Sequence, residues 1–498
     1  MERGKYNLIY EYYKCHILFG HLRKGDFLPT IEQIGGTFQV APQTVRNALK
    51  KLQQDHLIDV SPGRHTSVVY ETTPEETLQV TQQYYLARKE AIGTVYQVTE
   101  LLLTPVFRAG AQKLTDHELR EILRICRQKD AGIVSISMFC CNRMLDAVQN
   151  QLIKSLFADM VSFFQFPYIT SFDEGTSEEY QEYHRNLISS CDALDRNGAF
   201  QAFMGLQSVT QKVLQGFIDG TSRTVAVPNQ IPFHWQTYRD RPQHCHTLAA
   251  RIIYGLIKGK YAEGEMLPSY ENMSLEFSVS VSTARRTIGL LRDMGLIHSI
   301  NGVGNQVLFT APNWKKLRRP SIQKNILMAR ESIELLLFTA EEIVSKDLLR
   351  LDKKQTHELK NILTDSKGLC GLEAIVLVTE YILILHPFTS FFETYGKLLE
   401  FLLFTYPFLS DQQQTKGVSQ SAPIEKLTRA IDAEDTDLFA QGYIELLHEV
   451  GAKIGNTVNF LQNGVEQYAS GCESRESNKL KILSNGKKSG AAENKGTP

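Results

Sequence analysis

The stretch LPTIEQIGGTFQVAPQTVRNALKKLQQDHLI (residues 28–58) occurs in a second version, LPSYENMSLEFSVSVSTARRTIGLLRDMGLI, at residues 267–297. Aligned without gaps at an offset of 239 positions, residues 17–69 and 256–308 are identical at 14 of 53 positions. An ungapped match of this length indicates an internal repeat, and a repeat has to be recognised before any other feature of the fold is interpreted.

The repeated segment predicts three helices followed by a β-hairpin. In the first copy, residues 10–22 have apolar side chains at helical spacing, and Thr30 can cap a short helix over residues 31–38. Pro42 suits the first turn of the next helix. Residues 57–70 predict two short strands around a Pro-Gly turn. The apolar stripe of the third helix consists of Val45, Ala48, Leu49 and Leu52, and in the second copy Ser280 is the expected N-cap of that helix.

This order resembles the winged helix-turn-helix domain of the GntR family of bacterial transcription regulators. The family pattern runs LPS-x-R, then GVS-R-x-TVR-x-AL, then a wing with GxG-T. The matching stretches here are LPT and LPS, QVAPQTVRNAL and SVSVSTARRTI, and GRHT and GVGN. The resemblance covers 60–70 residues in each copy. It implies two DNA-binding domains in one chain.

Two arginines of the family pattern are replaced in both copies. The arginine after LPSx is Glu32 in the first copy and Glu271 in the second, and the arginine after GVS is Pro42 or Val281. Members of the family generally use those arginines on DNA, and a carboxylate facing a phosphate repels it. We therefore expect weaker affinity or DNA contacts from other residues.

The resemblance places the third helix of each copy in the major groove, where its first turns meet base edges. The arginine of the TVR motif remains in both copies, as Arg46 and Arg285. Because it recurs, we favour a DNA contact over an ordinary solvated side chain. The expected DNA-binding residues are Thr30, Gln43, Thr44, Arg46, Asn47, Lys50, Arg64 and His65 in the first copy, and Ser269, Ser282, Thr283, Arg285, Arg286 and Asn305 in the second.

The repeat continues beyond each wing at an offset of 240 positions. HELREIL (residues 117–123) recurs as HELKNIL (residues 357–363), and Asp195 recurs as Asp435. These segments have helical periodicity and few strand signals, which predicts a helical bundle after each winged helix. The first bundle resembles the FCD-type ligand-binding domain of the FadR branch of the family, through FCCNRMLDAVQNQL (residues 139–152) and YHRNLISSCDALDRNGAFQAFMGL (residues 183–206).

The FCD resemblance implies no metal in this chain. Metal-binding members use one Asp and three His, but the matching positions hold Ile136, Cys140, His184 and Leu206. A divalent ion needs three or four protein ligands, so His184 is expected to be a helix-face or core histidine. The cluster at residues 244–246 (His-Cys-His) is assigned to a linker. Because adjacent residues rarely all reach one ion, we do not expect it to bind a metal.

Composition is that of a globular protein, with 42% hydrophobic and 22% charged residues. No apolar run is long enough to span a bilayer and the N-terminus lacks a signal-peptide core, so we expect a cytoplasmic protein with free thiols among its eight cysteines. Residues 1–70 hold nine basic against six acidic side chains, and residues 246–319 hold ten against five. The repeated segments are therefore locally basic, as a phosphate-backbone binder requires.

The predicted fold class is mainly α, with two winged helix-turn-helix domains, each carrying a small β-hairpin and each followed by an all-α bundle. The expected domains are residues 1–72 and 246–312 (winged helices), 78–225 and 320–470 (bundles), 226–245 (a linker) and 471–498 (a disordered tail).

The leading hypothesis is a transcription regulator that binds double-stranded operator DNA. Both recognition helices would lie on one chain, as a pseudo-dimeric monomer or in a homodimer, and the bundles would bind a small effector of unknown identity. No cofactor and no membrane partner are expected. Two alternatives remain. An enzyme with a pyridoxal-phosphate domain is disfavoured because no Gly-rich phosphate loop, GxSxG or HExxH motif occurs. An interaction protein with degenerate winged helices is favoured by the two glutamates.

Overall fold

Two winged helices and two helical bundles alternate along the chain, which confirms the predicted fold class. The structure is a computed structural model. It describes residues 5–38, 40–60, 65–128, 132–165, 177–237, 244–310, 312–348, 351–365, 371–385, 389–410 and 422–463.

The first winged helix begins with a helix and ends with a two-stranded sheet. Thr30 caps the second helix as predicted, because its Oγ1 accepts the Gln33 N–H at 3.2 Å while Gln33 Oε1 accepts the Thr30 N–H at 2.9 Å. The two strands are antiparallel, with Ile58 opposite Val68. The elements are α1 (Lys5–Leu18), α2 (Ile31–Phe38), α3 (Pro42–Gln54), β1 (Ile58–Asp59) and β2 (Ser67–Val68).

The first bundle follows directly and consists of seven helices in its described part. Its long central helix packs against the fourth and the last helices of the bundle. Gly110 permits the first of these contacts, since a Cβ at this position would lie 2.3 Å from the Met144 carbonyl oxygen. The helices are α4 (Pro74–Leu86), α5 (Lys89–Lys113), α6 (Asp116–Cys126), α7 (Ile133–Val148), α8 (Gln151–Phe164), α9 (Glu178–Asp192) and α10 (Arg196–Ser222).

The segment at residues 226–237 has no helix or strand but is packed against the bundles. Phe233 and Trp235 are buried. The Ile231 N–H donates to the Ala87 carbonyl oxygen at 2.6 Å, and the Gln236 N–H donates to Asp159 Oδ2 at 2.8 Å. This part of the expected linker is therefore fixed to the first bundle.

The second winged helix repeats the first with the same spacing. From the start of α1 to the start of its counterpart the offset is 239 positions, and the same offset relates the two third helices. The strand register is also repeated, with Ile297 opposite Val307. Ser280 is the N-cap as predicted, since its Oγ accepts the Thr283 N–H at 3.1 Å. The elements are α11 (His244–Ile257), α12 (Tyr270–Glu276), α13 (Val281–Asp293), β3 (Ile297–Ile300) and β4 (Gly304–Val307).

The second bundle is built from eight helices in its described part. Its two longest helices pack along each other, and the last helix also packs against the one before it. The helices are α14 (Trp314–Leu317), α15 (Pro320–Leu348), α16 (Lys353–Asp365), α17 (Gly371–Leu385), α18 (Thr389–Leu403), α19 (Tyr406–Ser410), α20 (Ala422–Asp432) and α21 (Thr436–Asn463).

The last helix of each bundle starts with the same local structure. Asp195 is the N-cap of α10, and its Oδ1 accepts the Gly198 N–H at 3.0 Å. Asp435 does the same before α21 by accepting the Leu438 N–H at 2.9 Å. The residue before each aspartate has positive φ, 57° at position 194 and 51° at position 434. The 240-residue offset found in the sequence thus corresponds to equivalent caps in the two bundles.

The two bundles pack against each other through equivalent helices. Helix α5 contacts α15, which is its counterpart at an offset of about 240 positions, and two further contacts, α5 with α18 and α8 with α15, form a reciprocal pair. Reciprocal contacts of this kind are the signature of a two-fold interface. Polar contacts also join α15 to the N-terminus of α8, where the Leu152 N–H donates to Glu331 at 3.0 Å and Asn150 Nδ2 donates to Glu334 at 2.9 Å.

The two winged helices differ in how they join this core. The first winged helix has its own apolar core, centred on Ile9, Ile34 and Leu52. The second shares one continuous core with both bundles, through residues such as Ile253 and Ile288. The bundles therefore hold the second winged helix more extensively than the first.

The start of the second winged helix differs from the sequence expectation. Residues 244–246 were assigned to a linker, but they form the first turn of α11. The polar histidines at the start of α11 do not show the apolar spacing by which a helix is recognised in the sequence. The expected tail at residues 471–498 lies outside the described residues. Among the helices that the structure describes, we find none with the length and apolar character that crossing a membrane requires.

Candidate nucleic-acid interface

The recognition helices α3 and α13 each bury one face and expose the other. In α3 the predicted stripe is confirmed, since Val45, Ala48, Leu49 and Leu52 are all buried. The opposite face of α3 exposes four of the expected contact residues, and α13 exposes three at equivalent positions. These are Gln43, Arg46, Asn47 and Lys50 on α3, and Ser282, Arg285 and Arg286 on α13.

On α3 the exposed amides are already paired with each other. Gln43 Nε2 donates to Asn47 Oδ1 at 3.1 Å, which links two side chains one turn apart. Thr44 is half-buried beside them. The next basic residue, Lys51, lies over the Tyr10 ring of α1, with Nζ 3.8 Å from the ring centroid. Lys51 therefore faces the interior side of the helix, and Arg46 and Lys50 supply the outward positive charge.

On α13 the two exposed arginines contact other residues of the second winged helix. The Arg285 guanidinium lies 5.5 Å from the centroid of Tyr270, the first residue of α12. Arg286 Nε donates to the Ser282 carbonyl oxygen at 3.4 Å. In the first winged helix the position of Tyr270 is taken by Ile31, which has no aromatic ring. Arg285 is thus supported by a cation–π contact that its counterpart Arg46 cannot make with this position.

Two of the expected DNA-binding residues are buried, and their side chains do not belong to the outer surface. Thr283 is only 5% exposed, and its hydroxyl lies 2.8 Å from Ser280 Oγ, inside the cap of α13. Asn305 is also 5% exposed, and its Oδ1 accepts the Ser299 hydroxyl at 2.9 Å across the hairpin. Tertiary packing turns both polar side chains inward, and their assignment as DNA contacts stays a prediction.

The wings present different side chains to solvent. His65 is exposed and packs against the Phe27 ring, with centroids 5.6 Å apart. Arg64 lies outside the described residues. In the second wing the exposed tip is residues 301–303, where Val303 is 69% exposed. The second wing therefore exposes one apolar side chain, Val303, at its tip, whereas the described part of the first wing exposes an aromatic pair.

The expected contact residues at the start of α2 and α12 also have local structural roles. Thr30 and Ser269 are exposed N-caps, and Ser269 Oγ accepts the Asn272 N–H at 3.1 Å. Glu32 and Glu271 lie in the first turns of these helices. A carboxylate there is stabilised by the helix dipole, which gives the glutamates a structural reason to be present. Both remain exposed and acidic on the helix that precedes the recognition helix.

The second winged helix is fixed to the second bundle by a polar contact on α11. Glu380 of α17 accepts the Tyr254 hydroxyl at 2.7 Å and the Lys258 ammonium at 2.9 Å. The equivalent positions in the first winged helix are Cys15 of α1 and Phe19, the residue after α1, which instead pack against residues of α4. The same face of the first helix therefore docks on a different element in each half.

His246 belongs to the contact between α11 and the second bundle. It is buried, its Nδ1 lies 2.8 Å from Asn325 Nδ2, and burial lowers its pKa to about 4. The neutral ring accepts a hydrogen bond from the α15 amide and packs edge-on to Phe404 at 5.4 Å. Its role is to join α11 to the second bundle.

The positions that match the metal ligands of FCD domains are mostly apolar here. Ile136, Cys140 and Leu206 are buried, and burial raises the pKa of the Cys140 thiol well above its usual range. His184 Nε2 donates to the Cys126 carbonyl oxygen at 3.0 Å. In the described part of the chain, no group of three or more His, Cys, Asp or Glu residues is placed to hold a metal ion.

Sequence reasoning missed several residues of this surface. Phe27 and Met266 occupy equivalent positions beside the wings and are 64% and 41% exposed. The alignment of the two copies shows a large apolar residue at this position in both turns, and this could have identified them. Tyr270, which supports Arg285, gave no signal, because its neighbour lies 15 positions away in the sequence.

Comparison with known proteins matches both winged helices. The family model described as "Bacterial regulatory proteins, gntR family" matches residues 5–68 and 246–307. The HTH-type transcriptional regulator LutR of Bacillus subtilis (strain 168) is 25% identical over 212 residues, which are 40% of this chain and 96% of LutR. Among solved structures, Streptococcus agalactiae GntR (14% identity, 42% of this chain, 99% of that chain) has a TM-score of 0.19, and E. coli McbR/YncC (14%, 43%, 99%) has a TM-score of 0.23.

These findings define a protein with two DNA-binding winged helix-turn-helix domains in one chain. Both domains are of the type described by the model for the gntR family of bacterial regulatory proteins.

Proposed function

We propose that this chain regulates transcription in the cytoplasm by binding an operator with both of its winged helices, so that one chain does the work of a dimer. The observation that carries the proposal is the reciprocal packing of the two bundles. Helix α5 contacts its counterpart α15, and the contact of α5 with α18 is matched by the contact of α15 with α8. Two protomers of a symmetric dimer meet in this way. Here both sets of helices lie on one chain, as if two regulators had been fused after duplication.

The comparison with LutR supports the same interpretation. Nearly the whole of LutR, 96% of its length, aligns with only 40% of this chain. One chain therefore has room for two units of that size. Since a two-fold operator needs two recognition helices about one helical turn apart, a chain with α3 and α13 could occupy both half-sites alone.

The exposed arginines provide the most direct test of DNA binding. In Arg46→Ala and Arg285→Ala each helix loses its common basic residue, and a good arginine contact accounts for about 1–3 kcal/mol of discrimination. We expect each single variant to bind operator roughly 5- to 150-fold more weakly, and the double variant to bind no better than it binds random DNA. Gln53→Ala, an exposed position at the far end of α3, is the matched control. Binding is measured by gel shift with DNA from the protein's own promoter region, over a salt series.

An interaction protein that has lost DNA binding is the second candidate. The exposed Glu32 and Glu271 favour it, because they replace basic residues of the family pattern. It predicts that the double arginine variant and the wild type bind DNA equally weakly. Binding with a steep salt dependence that resists competitor DNA would exclude it.

The effector role of the bundles is also a proposal, and it rests on the FCD resemblance. A ligand that binds only one arrangement of the bundles would shift the relative position of the recognition helices. The test is a thermal-shift screen of organic acids and other small metabolites. The ligand that stabilises the protein should also change its affinity for DNA, because linkage between two sites is reciprocal.

A further inference from the structure

We infer that the two recognition helices specify different base pairs, so that the operator consists of two unlike half-sites. The geometry assigns an A·T pair to Gln43 and Asn47 in one half-site, and a G·C pair to Arg286 at the corresponding place in the other. The inference rests on the proposed function, in which both winged helices contact DNA.

Equivalent positions can be compared because α3 and α13 share their bounds at an offset of 239. The shared arginine, Arg46 or Arg285, lies between two positions that differ. Position 43 is glutamine in α3 and Ser282 in α13, and position 47 is asparagine in α3 and Arg286 in α13. All of these side chains are exposed within the first turns of the helix, which is the part of a recognition helix that meets base edges.

The amide pair on α3 is complementary to adenine. Since Gln43 Nε2 donates to Asn47 Oδ1, the groups left for a ligand include the acceptor Gln43 Oε1 and the donor Asn47 Nδ2. Adenine presents one donor, its N6 amine, and one acceptor, N7, in the major groove. The hydrogen bond between the two amides therefore orders a donor and an acceptor that match this pattern. Guanine presents two acceptors there and would leave Gln43 Oε1 facing an acceptor.

The arginine on α13 is complementary to guanine. Arg286 uses Nε on the Ser282 carbonyl oxygen, which leaves its two terminal nitrogens as donors. Guanine O6 and N7 accept two such donors, which makes this the commonest specific contact in the major groove. Ser282 is short and exposed, so it does not obstruct the approach of the base.

The electrostatic attraction to DNA is similar for the two helices. The outward face of α3 carries Arg46 and Lys50, and that of α13 carries Arg285 and Arg286. Gly289 takes the place of Lys50 on α13, and no heavy atom lies within 4 Å of where its Cβ would be. The outward faces of α3 and α13 therefore each carry two of these cations. The two faces differ in the base pairs that their side chains recognise.

The test is a selection of duplexes by the full-length chain. The pool contains about 30 randomised base pairs, enough for two half-sites one helical turn apart. The wild type is compared with Gln43→Ser/Asn47→Arg, which gives α3 the polar pair of α13. Gln53→Arg is the matched control, since it adds the same charge to α3 at an exposed position far from the first turns and equivalent to Arg292. Circular dichroism confirms that each variant is folded.

We expect the wild type and the control to select two unlike half-sites and the double variant to select two like half-sites. In direct binding, exchanging the A·T pair for G·C should weaken the wild type roughly 5- to 150-fold, the usual effect of one mismatched base pair, and should strengthen the double variant. Two like half-sites selected by the wild type would overturn this inference and leave the proposed function intact. Enrichment of a single half-site, or none, would overturn both.

Discussion

Removing the carboxylate of Glu331 tests how the two halves of the chain are joined. This residue of α15 is 5% exposed and caps the N-terminus of α8 in the other half. Its Oε2 accepts the Leu152 N–H at 3.0 Å, and its Oε1 accepts the Gln151 N–H at 3.4 Å. Asn150, the fully buried N-cap of α8, donates through Nδ2 to the Glu331 carbonyl oxygen at 3.0 Å.

The expected loss follows from these contacts. In Glu331→Ala the buried N–H of Leu152 loses its acceptor, and a buried donor without a partner costs about 1–3 kcal/mol. Part of this is offset, because the protein no longer has to bury a carboxylate, and burial is the main reason that the pKa of Glu331 is raised. We therefore expect the free energy of unfolding to fall by about 2 kcal/mol. Glu331→Gln keeps an oxygen acceptor and should lose less.

Urea unfolding followed by tryptophan fluorescence measures this loss. The chain has two tryptophans, Trp235 between the bundles and Trp314 in the second bundle, so the signal reports on the joined halves and not on the first winged helix. Glu341→Ala, an exposed glutamate on the same helix, is the control. A double-mutant cycle with Asn150→Ala should give a coupling energy above about 0.5 kcal/mol. A loss no greater than in the control, or no coupling, would refute the reasoning.

Three further predictions concern pH and the two winged helices. The pKa of Glu331 is raised above 4.5 in the folded protein, so its contribution to stability is present below pH 4.5 and is lost as pH rises through the folded pKa. The unfolding free energy of wild type relative to Glu331→Gln should fall over that interval, and an unchanged difference would contradict the assignment. His56 has φ of 58° where the second winged helix has Gly295 at 81°. His56→Gly should therefore stabilise the first winged helix by up to about 1 kcal/mol, which would appear as slower hydrogen exchange of its amides. Gly295→Ala in the second winged helix should not slow exchange, because alanine is strained at this positive φ. Glu380→Gln weakens the hydrogen bonds from Tyr254 and Lys258, so amides of α11 should exchange faster while those of α1 do not change; equal effects on both would argue against separate docking.

Much of the local structure could be predicted from the sequence, because it depends on neighbours along the chain. The bounds of α2, the buried stripe of α3 and the cap at Ser280 each follow from spacing and from the chemistry of a single helix end. The repeat offset also related Asp195 to Asp435, and the structure shows that both are N-caps. These features need no knowledge of the tertiary fold.

Which polar side chains are buried could not be predicted from the sequence, because burial depends on how the elements pack. Thr283 and Asn305 have the polarity of surface residues, and only the packing of the cap and the hairpin turns them inward. His246 lies in a polar stretch, yet its partner Asn325 is on α15. The contact of Glu331 with the N-terminus of α8 joins residues about 180 positions apart, which no periodicity in either segment indicates.

The number of chains in the DNA complex tests the central claim most directly. The complex would be formed with the duplex obtained from the selection and its mass measured by light scattering at several protein concentrations. If one chain occupies both half-sites, the complex exceeds the mass of the duplex by 56.4 kDa, and footprinting protects both half-sites at that stoichiometry. A complex heavier than the duplex by twice that mass, with one chain on each half-site, would contradict the account.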